Sequence, residues 1–242
     1  MNAQRLHKIL AHADDPALRK LSLEELEQLL QQARAAMPPT PAADTRPQRW
    51  QDQIIQQHIR PGSRVLDLGC GSGELLARLI EHKQVRGQGV ELDAQRVYQC
   101  VARGVPVFQS NLDMGLRGFA DQSFDYVVLE ETLQTLHRPT DVLQEMLRVG
   151  RCGVVSFPNF AYWRVRLDLG LRGRMPITER LPYRWHNTPN IHLLSLQDFL
   201  DWCLKHEVQV VQGHVLADGV VRQLAPRDNL FAEEALLVVE RR

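Results

Sequence analysis

The stretch V-L-D-L-G-C-G-S-G at residues 65–73 constrains the fold more than any other part of the chain. An apolar run gives way at once to glycines spaced G-x-G-x-G, at Gly69, Gly71 and Gly73, and then to a helical pattern over 74–82. Glycines at such a handover allow φ > 0 and leave no Cβ between the backbone amides and a ligand. The following helix aims its positive end at the same crevice. The stretch therefore calls for a strand–turn–helix unit with a ligand-facing turn, the opening unit of a doubly wound α/β sheet.

The rest of the chain has the spacing that such a sheet needs. Residues 65–68, 89–92, 105–108, 126–129, 153–157, 208–211 and 235–239 read as strands, with 74–82, 94–103, 141–149 and 196–206 as the helices between them. Continuous apolar strands alternating with helices predict a mostly parallel, seven-stranded Rossmann-like sheet with helices on both faces. Ser195, with Asp198 three residues on, marks the start of the last of these helices. Trp50, Ile54, Ile55 and Ile59 give one more amphipathic helix ahead of the first strand, ended by Pro61 and Gly62. Residues 1–36 read as a helical arm, with a capping box at Ser22 and Glu25 and an apolar face of Leu23, Leu26, Leu30 and Ala33. Pro38, Pro39 and Pro41 stop it, because proline cannot donate a helix hydrogen bond. The expected division is an N-terminal arm and Pro-rich linker over 1–47 and an α/β domain over 48–242.

Composition narrows the partners. Lys+Arg and Asp+Glu both number 29, which argues against duplex nucleic acid or an anionic membrane held by bulk charge. No run approaches the ~18 apolar residues of a membrane span, and the amino terminus lacks the apolar core of a signal peptide. Cys70, Cys100, Cys152 and Cys203 form no C-x-x-C pair, so neither a thiol redox motif nor a metal site is expected. These features point to a reduced, cytoplasmic protein.

The glycines alone do not choose a ligand. A dinucleotide fingerprint wants a small residue at position 74, where this chain has Glu74, a poor neighbour for a pyrophosphate. Asp67, just ahead of the glycines, suits a cationic ligand, and S-adenosylmethionine carries an ammonium and a sulfonium but no phosphate. Glu91 follows Gly73 by 18 residues at the end of the second strand, where a carboxylate accepts both ribose hydroxyls of an adenosine or stands as a solvated strand end. Asp93 reads as a helix N-cap. Asn111, after the third strand, reads either as a partner for the adenine edge or as a turn residue. Glu130, Glu131 and His137 follow the fourth strand, where a methyl acceptor would sit. His137 is there either a general base or an exposed helix end.

Residues 157–193 stand apart. They hold Phe157, Phe160, Tyr162, Trp163, Tyr183 and Trp185 together with Arg164, Arg166, Arg172, Arg174, Arg180 and Arg184. A lid over the acceptor, a docking face and a packed excursion all fit that mixture. Single-stranded RNA does not, since neither a basic run nor repeated aromatic platforms accompany it.

V-L-D-L-G-C-G-S-G with G-V-E-L-D resembles the class I S-adenosylmethionine-dependent methyltransferases. E-T-L-Q-T-L at 131–136, E-M-L-R-V-G at 145–150, S-F-P-N-F-A-Y-W-R-V-R-L at 156–167, G-R-M-P at 173–176 and T-P-N-I-H-L at 188–193 resemble, more narrowly, the MetW family of methionine biosynthesis proteins, from about residue 50 onward. The resemblance implies a methyltransferase-like domain that binds S-adenosylmethionine or S-adenosylhomocysteine. Asp67, Gly69, Cys70, Gly71 and Gly73 would line the methionine end, Glu91 and Leu92 the ribose, and Asn111 and Leu112 the adenine side. The family pattern expects Asp where this chain has Asn111. It also implies a partner, the homoserine O-acyltransferase MetX, which acylates homoserine at the start of methionine synthesis. Methyl transfer does not follow from such a fold. The competing reading is an active methyltransferase on a small molecule, with Glu130, Glu131 or His137 as base. A homodimer through the arm or through 157–193 is a further expectation.

Overall fold

The computed structural model describes residues 49–241, so the expectations for the arm and linker at 1–47 lie outside the described residues. The strands are β1 (Arg64–Leu68), β2 (Arg86–Glu91), β3 (Val107–Gln109), β4 (Phe124–Glu130), β5 (Gly150–Pro158), β6 (Val208–Ala217), β7 (Val220–Gln223) and β8 (Glu234–Arg241). The helices are α1 (Trp50–His58), α2 (Glu74–Lys83), α3 (Ala94–Ala102), α4 (Pro139–Val149), α5 (Trp163–Arg172), α6 (Leu196–Lys205) and α7 (Asp228–Phe231).

The strands form one sheet in the order β3-β2-β1-β4-β5-β8-β6-β7. From β3 to β5 the pairing is parallel, and β8, β6 and β7 add antiparallel strands on one side. The chain winds outward from β1 to β3 and then returns to place β4 on the other flank of β1. The carboxyl ends of β1 and β4 therefore border the crevice in which ligands of open α/β sheets bind.

Successive side chains leave a strand on opposite faces, and the core follows that rule. Leu66, Leu68, Val127 and Leu129 pack with Leu143 and Met146 of α4 and Phe199 of α6. Val65, Tyr126, Val128 and Val154 face the other way, onto Ile55 of α1 and Leu75, Leu76 and Leu79 of α2. Helices cover both faces, as the continuous apolar runs require.

The expectation of a seven-stranded sheet is corrected to eight strands among the described residues. β7 returns from β6 through Asp218 (φ 48°) and Gly219 (φ 76°), the two left-handed residues of a two-residue Asp-Gly hairpin turn. It is mostly exposed, so it lacks the apolar run that announces a buried strand. α4 begins two residues earlier than expected because Pro139, with φ preset for a helix, occupies its first turn. Ser195 and Asp198 form the expected capping box, and Asp93 caps α3 by accepting from Arg96 N at 3.0 Å. Among the described residues no helix is long and apolar enough to cross a membrane.

Candidate functional site at the glycine turn

Strand β1 delivers Asp67 and the glycine turn to the edge of the crevice. Gly69 N and Cys70 N both donate to Val90 O, at 2.8 and 3.1 Å, which straps the turn onto β2. Gly73 (φ 78°) is the N-cap of α2, and a Cβ there would meet Cys100 Sγ at 2.9 Å. Gly71 (φ 57°) differs. A Cβ on it would meet nothing within 4 Å, so the space beside it is open.

Glu91 organises the neighbouring loop. Its Oε2 accepts from Gly71 N at 2.8 Å, and its Oε1 accepts from Leu92 N and Asp93 N at 2.9 Å each. An ionised carboxylate has about four lone-pair positions, so about one remains, on Oε2. Accepting both ribose hydroxyls at once would exceed that capacity; accepting one would not. Leu92 is 60% exposed beside this carboxylate, while Leu112 is buried in the core. Asn111 is exposed, and its side-chain oxygen accepts from Asp113 N at 3.0 Å to cap a single 3-10 turn.

Asp67 is buried, and burial pushes its carboxyl up to about 7. The Arg49 guanidinium pulls it down, while Asp52 and Glu91 push it further up. It lies in the field of a polar network whose members come from distant parts of the chain. Arg49 Nη2 donates to Glu130 Oε2 at 2.9 Å and lies 3.7 Å from Asp52 Oδ1, and its Nη1 lies 3.6 Å from Glu131 Oε2. Trp50 Nε1 donates to Glu234 Oε2 at 2.6 Å, and Gln51 Nε2 donates to Glu131 Oε1 at 2.9 Å and Glu234 Oε2 at 3.1 Å. Arg78 pairs with Asp52, and Arg180 Nε lies 3.8 Å from Glu234 Oε1. Burial raises Asp52, lifts Glu130 well above the carboxylate range and takes Glu234 to about 7.

These residues carried a readable signal. Gln51 and Asp52 stand at i−4 and i−3 from Ile55, on the buried face of α1. Polar residues at core positions of an amphipathic helix mark a buried network or a function.

The structure brings Asp67, Gly69, Cys70, Gly71, Gly73, Glu91 and Leu92 together at adjoining strand ends, and it puts Glu130 and Glu131 at the end of β4. Glu131 is held in the left-handed region (φ 48°), its N–H donating to Ser156 O at 3.0 Å. Such strain in a non-glycine residue persists where the surroundings fix it. His137 is exposed just ahead of α4.

Residues 157–193 divide by environment. Phe157 lies in the main core, and Tyr162, Val165 and Leu181 form a small cluster with Phe160 and Trp163. Trp185 and Leu171 are 78% and 80% exposed. The excursion is pinned at both ends: Asn159 Nδ2 donates to Asn229 O and Ala232 O at 3.1 and 2.9 Å, and Ile191 N and His192 N donate to Gln134 O at 2.9 and 3.1 Å. The S-F-P-N-F and T-P-N-I-H-L signatures therefore contain structural anchors.

A model of the family "Methionine biosynthesis protein MetW" matches residues 49–239. The chain belongs to the MetW family. It is 39% identical over 202 residues to the bifunctional methionine biosynthesis protein MetXA/MetW of Rhodopirellula baltica, covering 78% of this chain and 32% of that one. The matched part thus spans about a third of that relative's length. A methyltransferase of Thermotoga maritima, described as S-adenosylmethionine-dependent, superposes with a TM-score of 0.59 at 15% identity, covering 79% of this chain and 87% of the other. One from Mesorhizobium loti gives 0.58 at 16% identity, covering 79% and 98%. At those identities the likeness shows the shared Rossmann-like fold.

Proposed function

We propose that this MetW-family chain binds S-adenosylmethionine or S-adenosylhomocysteine at the glycine turn and acts as partner and activator of a homoserine O-acyltransferase. The observation that carries the partnership is the Rhodopirellula relative, in which a MetXA part and a MetW part share one polypeptide. Fusion of two chains in one organism fits association of separate chains in another.

The ligand reading rests on the site's chemistry. Gly71 leaves room where any other residue would place a Cβ. Asp67, Glu130 and Glu234 are buried acids raised by desolvation, so a positive charge in the crevice would relieve them. Asp67 and the turn amides would hold the amino-acid end, Glu91 Oε2 one ribose hydroxyl, and Leu92 the apolar face of the nucleoside. Asn111, with its oxygen already used, would reach the adenine through its amide nitrogen. Of the two, S-adenosylmethionine would supply a sulfonium-activated methyl group once bound; S-adenosylhomocysteine, its demethylated thioether, would not. The chain's own residues position, exclude water and carry charge. A ligand whose affinity differs between free and partner-bound chain would couple the two events, and ~1–3 kcal/mol is a typical coupling.

A second reading has one specific support. Glu130 is a buried acid raised well above the carboxylate range, with Oε1 lacking a hydrogen-bond partner, at the end of β4. Such a group suits proton abstraction from a small acceptor. Formation of S-adenosylhomocysteine from S-adenosylmethionine with a candidate acceptor, lost in Glu130→Gln, would favour it.

The test is homoserine acylation by the cognate acyltransferase, expressed with and without this chain. Activity that appears with both chains co-purifying supports the proposal. An acyltransferase equally active alone, with no complex formed, overturns it.

A further inference from the structure

Two thiols that lie 30 residues apart in the sequence are neighbours in the fold. Cys70, in the glycine turn, and Cys100, on α3, have their Sγ atoms 3.8 Å apart. Cys100 Sγ also donates to Gly71 O at 3.1 Å. The missing Cβ of Gly73 makes room for Cys100, and that of Gly89 makes room for Cys70. Cys70 is half-buried and Cys100 fully enclosed, so a reagent from solvent meets Cys70 first. The hydrogen bond between the two sulfurs holds Cys70 above the usual thiol range and Cys100 below it. Cys152 and Cys203 are buried thiols, likewise pushed up, to about 12, chiefly by desolvation.

We propose that Cys70 and Cys100 form a reversible disulfide site, closed by exchange with a low-molecular-weight disulfide such as oxidised glutathione, and that closure draws the glycine turn out of its ligand-holding shape. In the first step the Cys70 sulfur attacks one sulfur of the reagent. The reagent's S–S bond breaks, and one glutathione leaves as thiol with the proton Cys70 gives up. In the second step the Cys100 sulfur attacks the Cys70 sulfur of the mixed disulfide and expels the other glutathione, which takes the Cys100 proton. Two protein thiols are oxidised and one disulfide is reduced to two thiols.

Closure has a defined local consequence. A disulfide brings its sulfurs to about 2.05 Å, so the pair must approach by roughly 1.7 Å. The Cys100 S–H donated to Gly71 O is lost in the same event. Gly71 N is the donor to Glu91 Oε2, so a displaced turn disturbs the carboxylate of the second strand as well. The effect on ligand binding rests on the reading given under Proposed function, whereas the bond itself does not.

The experiment uses the full chain, reduced and then incubated with oxidised glutathione, followed by intact mass and a non-reducing peptide map. The expected product is lighter by two hydrogens, carries a Cys70–Cys100 linkage, returns to the thiol form with dithiothreitol, and is absent from Cys100→Ser. Amide hydrogen exchange over residues 69–73 should rise on closure. S-adenosylmethionine should bind about tenfold more weakly to the oxidised chain. A persistent mixed disulfide at Cys70, a linkage to Cys152 or Cys203, or an unmodified chain would overturn the site. A linkage with unchanged exchange over 69–73 would overturn its effect on the turn. If the reduced chain itself fails to bind S-adenosylmethionine, the ligand reading fails, while the map and the exchange still decide the disulfide.

Discussion

The glycine turn and the 157–193 excursion both leave from the carboxyl ends of parallel strands, β1 and β5, yet they are built in opposite ways. In the turn the polar groups largely satisfy one another. Three backbone amides fall on Glu91, and two fall on Val90 O. What remains is the opening beside Gly71 and a surplus of buried acid around Asp67. The excursion is anchored by Asn159 at one end and Gln134 at the other, while Leu171, Ile177, Trp185 and Leu193 project into solvent among arginines. On the proposed reading, the open space beside Gly71 and the buried acid near it would take a small cation-bearing molecule. Exposed apolar side chains among arginines suit a macromolecule, since Arg and Trp dominate interface hot spots. The two surfaces should therefore fail separately when mutated.

The largest expected effect is on the excursion's anchor. Asn159→Ala removes a buried amide that donates to Ala232 O and accepts from Leu196 N at 3.1 Å. Leaving those groups unpaired should cost about 3–5 kcal/mol, read as a lowered melting temperature. An unchanged melting temperature would mean that the excursion is held elsewhere.

Asp67 gives the next effect, with a sign that follows from burial. Its carboxyl stands at about 7 in the folded chain against an ordinary 3.8. Between those values the folded chain keeps a proton that the unfolded chain has released. Stability therefore falls as pH rises through this window, by roughly 4 kcal/mol in full at about 1.4 kcal/mol per unit. Asp67→Asn should flatten that fall in urea titrations run from about pH 5 to 8. It should leave acyltransferase binding intact, which keeps the two surfaces distinct.

Trp185→Ala should do the reverse. Loss of about 2 kcal/mol, near thirtyfold in affinity for the acyltransferase, is the scale of a hot-spot tryptophan. Ligand affinity and melting temperature should hold. The smallest expected free-energy change belongs to Gly71→Ala, about 1 kcal/mol of stability for a side chain forced to positive φ, with ligand affinity also falling because the new Cβ enters the opening.

Much of this architecture was legible in the residues. The apolar runs located seven strands, most directly β1, β4, β5 and β8, which are buried along most of their length, and Ser195 and Asp93 declared their helix starts through capping chemistry. β7 escaped because it is short and exposed, although Asp218-Gly219 announced its turn. In the site, the glycine spacing could be read from local backbone requirements, whereas the three backbone amides that Glu91 accepts were not expected there. The network of Arg49, Gln51, Asp52 and Glu234 could not be assembled, since its members lie up to 184 residues apart. Likewise Cys70 and Cys100 read as isolated thiols until α3 was laid beside the turn. Asn159 stood in a family signature, but its work as an anchor depends on α6 and α7, which sequence spacing does not bring together.

The most direct test of the account is calorimetric titration of S-adenosylmethionine into the reduced chain and into Asp67→Asn, near pH 7 in buffers of different ionisation heat. The account predicts one-to-one binding to the wild type with release of protons, as the ligand's positive charge draws Asp67 back toward its ordinary range. Asp67→Asn should bind more weakly and release fewer. Absence of binding by the wild type, or binding by Asp67→Asn with equal affinity and equal proton release, would contradict it.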